Sequence, residues 1–111
     1  MSELRFYSHQ DVLALTNTRE GETKMGQKIE ILQDSSQLSE TSATYILLGI
    51  PEDIGVRANY GKAGTAEAWN EALKAFCNIQ VNQETAMERI ALLGVIDCTN
   101  EMLAAEKNND L

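Results

Sequence analysis

Histidine is almost missing from this chain: His9 is the only one in 111 residues. A metal site that mixes imidazole and carboxylate ligands needs more nitrogen donors than one copy can supply, so no metal site is expected within a single chain. Basic residues are also scarce, with nine Lys and Arg against seventeen Asp and Glu, a formal charge of −8. Phosphate binding draws on clustered Lys and Arg, so nucleic acid is excluded as an expected partner. The acidic balance fits a solvated surface instead. There are two cysteines, Cys77 and Cys98, far apart and without metal-ligand spacing. That usage points to a reducing cytoplasm rather than a disulfide framework. No apolar run approaches the roughly 20 residues that span a bilayer, so no membrane partner is expected. The opening MSELRFYSHQD is polar and lacks the apolar core of a signal peptide. A phosphate loop is absent too, because GKAG at Gly61 to Gly64 lacks the G-x-x-x-x-G-K-S/T spacing. Neither cysteine has a histidine close in sequence, so no nucleophilic pair is read and no catalytic residue is assigned.

What is present is organised around Tyr45 to Phe76. The apolar run Tyr45 to Ile50 has the length of a strand and no polar alternation, which predicts a strand covered on both faces in a parallel sheet. Pro51 ends it, having no N–H to donate. A polar loop follows from Glu52 to Gly64, with Gly55, Gly61 and Gly64 inside it. Thr65 is placed to cap a helix whose apolar side reads Trp69, Ala72, Leu73 and Phe76, the i, i+3, i+4, i+7 spacing of one buried face. Ile90 to Ile96 reads as a second apolar strand, and Thr99 as the cap of a last helix, Asn100 to Lys107, with Met102 and Leu103 inward. The expected fold class is α/β: residues 45–111 form a β-loop-α-β-α unit with a right-handed crossover and parallel strands.

Residues 1–44 read as a helical appendage and a linker. Ser8 with Asp11 three residues on predicts a capping box that opens a short helix through Val12, Leu13 and Leu15. A second amphipathic turn or two is expected from Thr23 to Gln33, with Met25, Ile29 and Leu32 on one side. DSSQLSETSAT, Asp34 to Thr44, reads as a Ser/Thr-rich surface linker.

Open parallel sheets bind ligands at the carboxyl ends of their strands, which directs attention to the Glu52 to Gly64 loop. Glu52 and Asp53 leave the first strand where catalytic carboxylates often sit, although solvating a loop is the plainer role for them. Arg57, Asn59 and Lys62 bring cationic and amide groups suited to an anionic ligand end such as a carboxylate, and suited equally to a solvated loop. Asp97 ends the second strand, where a local cap for the Thr99 and Asn100 amides is the simpler reading. Trp69, at helical spacing, reads as core.

The stretch GIPEDIGVRANYGKAGTAEAWNEALKAF resembles the N-terminal part of the ureohydrolase family, which includes arginase, agmatinase and formimidoylglutamase. Gly49 and Pro51 match that family's G-x-P strand end. Gly55, Val56, Arg57, Asn59, Gly61, Lys62, Gly64 and Thr65 match its loop, and Ala72-Leu73 the helix that follows. The longer form P-E-D-I-G-V-R is most similar to formimidoylglutamase. REGETKMGQKI, Arg19 to Ile29, resembles that branch's leader, and LLGVIDC stands where its second strand is expected.

The resemblance implies the start of an arginase-like three-layer αβα fold. It also implies a parent enzyme that uses two manganese ions to hydrolyse a C–N bond of a small formimidoyl or guanidino substrate. The family's metal-binding segments, G-G-D-H, D-A-H-x-D and S-x-D-x-D, do not occur in this sequence. The chain is therefore expected to be a catalytically silent N-terminal piece, without manganese of its own. In the parent, Arg57, Asn59 and Lys62 would stand at the pocket mouth, touching the substrate's far carboxylate. The alternative is a free-standing α/β binding or interaction module without enzymatic activity. Either way, two strands apolar on both faces leave an open edge, which predicts a homo-oligomer, in the first place a two-fold dimer. The competing expectation is that the N-terminal appendage folds over that edge and blocks it.

Overall fold

The structure, a computed structural model, describes residues 3–52, 67–82 and 89–107. The elements in chain order are β1 (Glu3–Arg5), α1 (His9–Ala14), α2 (Met25–Lys28), β2 (Glu30–Ile31), α3 (Gln37–Glu40), β3 (Tyr45–Gly49), α4 (Ala68–Cys77), β4 (Ile90–Asp97) and α5 (Thr99–Lys107). They form a small mixed α/β fold with a four-stranded mixed sheet. The Thr65 cap, and the loop glycines at 55, 61 and 64, lie outside the described residues.

β4 is the hub of the sheet. Ile90, Ala91 and Leu92 stand opposite Tyr45, Ile46 and Leu47 of β3 in a parallel ladder, and Gly94 and Val95 stand opposite Leu48 and Gly49. β2 also runs parallel to β4, with Glu30 opposite Ala91 and Ile31 opposite Leu92. β1 departs from the expectation of parallel strands: it is antiparallel, with Leu4 opposite Ile96 and Arg5 opposite Val95. Ala91 is thus paired with both Ile46 and Glu30, and Val95 with both Gly49 and Arg5. A strand residue has one partner on each side, so β1 and β2 share the edge of β4 that faces away from β3. Residues 1–44, expected as a helical appendage, therefore also supply two strands to the sheet.

Local chemistry accounts for these elements. The capping box of α1 is present as read: the Asp11 N–H donates to Ser8 Oγ at 3.0 Å and the Ser8 N–H to Asp11 Oδ2 at 2.9 Å. The expected helix over Thr23 to Gln33 is cut to Met25–Lys28, because Ile29 has turned extended (φ −60°, ψ 138°). From there Ile29 and Ile31 point into one cluster and Leu32 into another, the alternation of a strand. Within β4 the register slips between Leu92 and Gly94. Gly94 takes φ +152°, and a Cβ there would come 2.2 Å from the Arg5 carbonyl oxygen. Only glycine suits both the bulge and this close approach of β1.

The sheet's two faces are covered differently. On one face Leu92, Ile31 and Ile29 pack with Val12, Leu73 and Cys77, joined by Leu47, Ile90, Trp69 and Phe76. Helix α1 packs on α2, and α2 on α4, to form that cover. The α4 face differs from the expected one: Leu73 and Cys77 are buried and Ala72 is exposed. The other face holds Leu32, Ala91 and Leu93 with Leu4, Phe6 and Ala43, all from strands and their flanks. Alternation puts Ile46 and Leu48 of β3 on this second face, where they are 41% and 37% exposed. Ile50, just beyond the strand, is 59% exposed, and Tyr45, at its start, 57%. The expectation of a β3 covered on both faces is thereby corrected. Leu103 of α5, expected inward, is also exposed, whereas Met102 is half-buried.

Candidate functional site

Parallel pairing brings the carboxyl ends of β3 and β4 to one edge of the sheet, with Gly49 opposite Val95. The chain leaves β3 there through a tight turn at Pro51, in which the Glu52 N–H donates to the Ile50 carbonyl at 3.0 Å. The fixed φ of proline matches the central residue of such a three-residue turn. The β3 exit is held from the side by Trp69. A Cβ on Gly49 would come 2.2 Å from the Trp69 ring, so the indole lies directly on the glycine backbone. Its Nε1–H donates to the Tyr7 hydroxyl at 2.9 Å. Leader, strand end and helix therefore meet at one point, and Trp69 is core as read from the sequence.

The β4 end of the same edge carries the charges. Asp97 Oδ1 accepts from the Thr99 N–H at 3.0 Å, which caps the turn into α5. Asp97 Oδ2 pairs with Arg5 Nη2 at 2.7 Å across the β1–β4 pair. Hydrogen bonds from the Thr99 hydroxyl and N–H, and then the Arg5 guanidinium, hold the Asp97 carboxyl below the usual range against the opposing effect of burial. The group is thus an ionised acceptor rather than a proton donor at neutral pH. Glu3, Arg5, Asp97 and Asn100 line a shallow polar depression of about 110 Å³. Such a lining suits a small polar group with donors of its own, and it holds no nucleophile–base pair.

Of the residues singled out in the sequence, Glu52 sits half-buried at the β3 end of this edge and Asp97 at the β4 end. Asp53, Arg57, Asn59 and Lys62 lie outside the described residues. Glu3 and Arg5 were missed, although Glu3-Leu4-Arg5-Phe6 alternates polar and apolar as an edge strand does. Asn78 was missed as well. Its Nδ2 donates to the carbonyls of Leu15 at 2.9 Å and Lys74 at 2.8 Å, and its Oδ1 accepts from the Asn17 N–H at 2.7 Å. That one amide ties the end of α4 to the end of α1, and no periodic pattern marks it.

Among the described residues no three His, Cys, Asp or Glu side chains converge as the ligands of the manganese implied by the family resemblance would. His9 opens α1 on the exposed surface. Among the described residues no helix is long and apolar enough to cross a membrane. No family model, curated protein or solved structure matches the chain.

Proposed function

We propose that this chain is the N-terminal part of a ureohydrolase-type fold, of the formimidoylglutamase kind, and that it furnishes the substrate-side edge of a metallohydrolase without the catalytic metal ligands. The observation that carries the reading is the parallel β3–β4 pair, whose carboxyl ends lie together where the ureohydrolase-like loop begins. The bare second face of β3 supports it further, since a three-layer αβα fold would cover that face with helices. In this reading Arg57, Asn59 and Lys62 contact the far carboxylate of a small formimidoyl or guanidino substrate. No catalytic step is assigned to the residues described, because they do not fit a manganese site.

Two measurements test it. With manganese added, the purified 111 residues should release neither formamide nor urea, and substantial turnover would refute the silence. Reading the coding DNA beyond Leu111 tests the parentage: a frame encoding D-A-H-x-D supports it, and a stop codon there overturns it.

The second reading, a free-standing binding or interaction module, is favoured by one observation. Tyr45, Ile46, Leu48 and Ile50 put four large apolar side chains of one segment into solvent. The homo-oligomer expected from the sequence goes with either reading, and the mass of the chain in solution tests it.

A further inference from the structure

We draw no further inference here: the strongest candidate, the bare apolar face of β3 presented by Ile46 and Leu48, already belongs to the interaction reading above, and nothing in the structure shows what covers it.

Discussion

On one side of β3, Leu47 packs into the cluster of Leu92, Ile31 and Leu73 beneath α1, α2 and α4; on the other, Ile46 and Leu48 stand in water. The residues are of one kind and adjacent in sequence. What separates them is what the chain has available to lay over each face. The helix-covered face takes three helices, whereas among the described residues the second face receives Leu4, Phe6, Leu32 and Ala43, side chains of the strands and their flanks, beside Ala91 and Leu93 of β4. A continuous apolar run reports that a strand can be buried on both faces; it does not report that both covers are present.

The largest expected effect tests that difference directly. Leu92→Ala removes a fully buried side chain at the centre of the covered face. It should cost about 2–5 kcal/mol of unfolding free energy. Ile46→Thr, on the bare face of the neighbouring strand, should fall within about 0.5 kcal/mol, as surface changes do. Urea unfolding of both variants checks the contrast. Equal losses would show that the second face is covered in solution.

The next effect belongs to Gly94, which holds the two sides of β4 together. Gly94→Ala forces a Cβ against the Arg5 carbonyl at a backbone angle that side chains rarely adopt. A loss of about 1–3 kcal/mol is expected from the strained backbone. The damage should concentrate on β1, so the amides of the β1–β4 ladder should lose hydrogen-exchange protection while the β3–β4 ladder keeps its own. Uniform loss across both ladders would mean that β1 is no separable strap.

These contrasts also mark how far the sequence could be read. Ser8 with Asp11, the run at Tyr45, the Trp69 helix and the run at Ile90 were legible because each carries a local signal: a cap, an unbroken apolar run, or a 3.6-residue stripe. β2 was hidden because Met25, Ile29 and Leu32 also fit a helical stripe, and the competing alternation in Ile29-Glu30-Ile31 is only three residues long. The choice of Cys77 over Ala72 for the buried face of α4 depends on where α2 crosses. At that crossing a Cβ on Gly26 would meet Thr16 Oγ1 at 2.0 Å and the Cys77 Cβ at 3.1 Å, a contact set by packing rather than periodicity. The Arg5–Asp97 pair joins residues at opposite ends of the chain, so only the β1–β4 register discloses it. Of the expected loop contacts only Glu52 can be placed, since Arg57, Asn59 and Lys62 lie outside the described residues.

Association asks whether the bare face persists in solution. The N-terminal strands occupy one edge of β4, so the expected blocking by residues 1–44 applies to that edge. On the far side of β3 no further strand pairs among the described residues. If a second copy takes up β3, light scattering at micromolar concentration should give twice the 12.3 kDa of one chain. Leu48→Glu should then return it to a monomer without loss of fold. A single-chain mass that does not change on concentration would exclude the dimer and leave the bare face without a second copy.

The smallest expected effect is in pH, and it too differs between the two regions. Asp97 sits at the open carboxyl edge with its carboxyl held below the ordinary value, chiefly by Thr99 and then by Arg5. A depressed carboxylate contributes stability that is present above its unfolded value, about 3.9, and is lost as pH falls through its lower folded value. Cys77 lies in the helix-covered core, where burial pushes its thiol up against the smaller opposing effect of a Thr16 hydrogen bond. Folding therefore favours the neutral thiol, and stability falls as pH rises above the unfolded thiol value, about 8.5. Asp97→Asn should flatten the acid limb alone, and Cys77→Ala the alkaline limb alone, in unfolding profiles scaled to neutral pH. The scaling matters because Cys77→Ala also opens a small space in the core and lowers the whole curve. The carboxylate at an exposed edge is screened by solvent, so its limb should be the shallower of the two and should shrink further with added salt. An acid limb unchanged in Asp97→Asn would mean that the Arg5 and Thr99 contacts do not hold the carboxyl down, and that β1 is kept in place by its ladder with β4 and by the Leu4 and Phe6 packing.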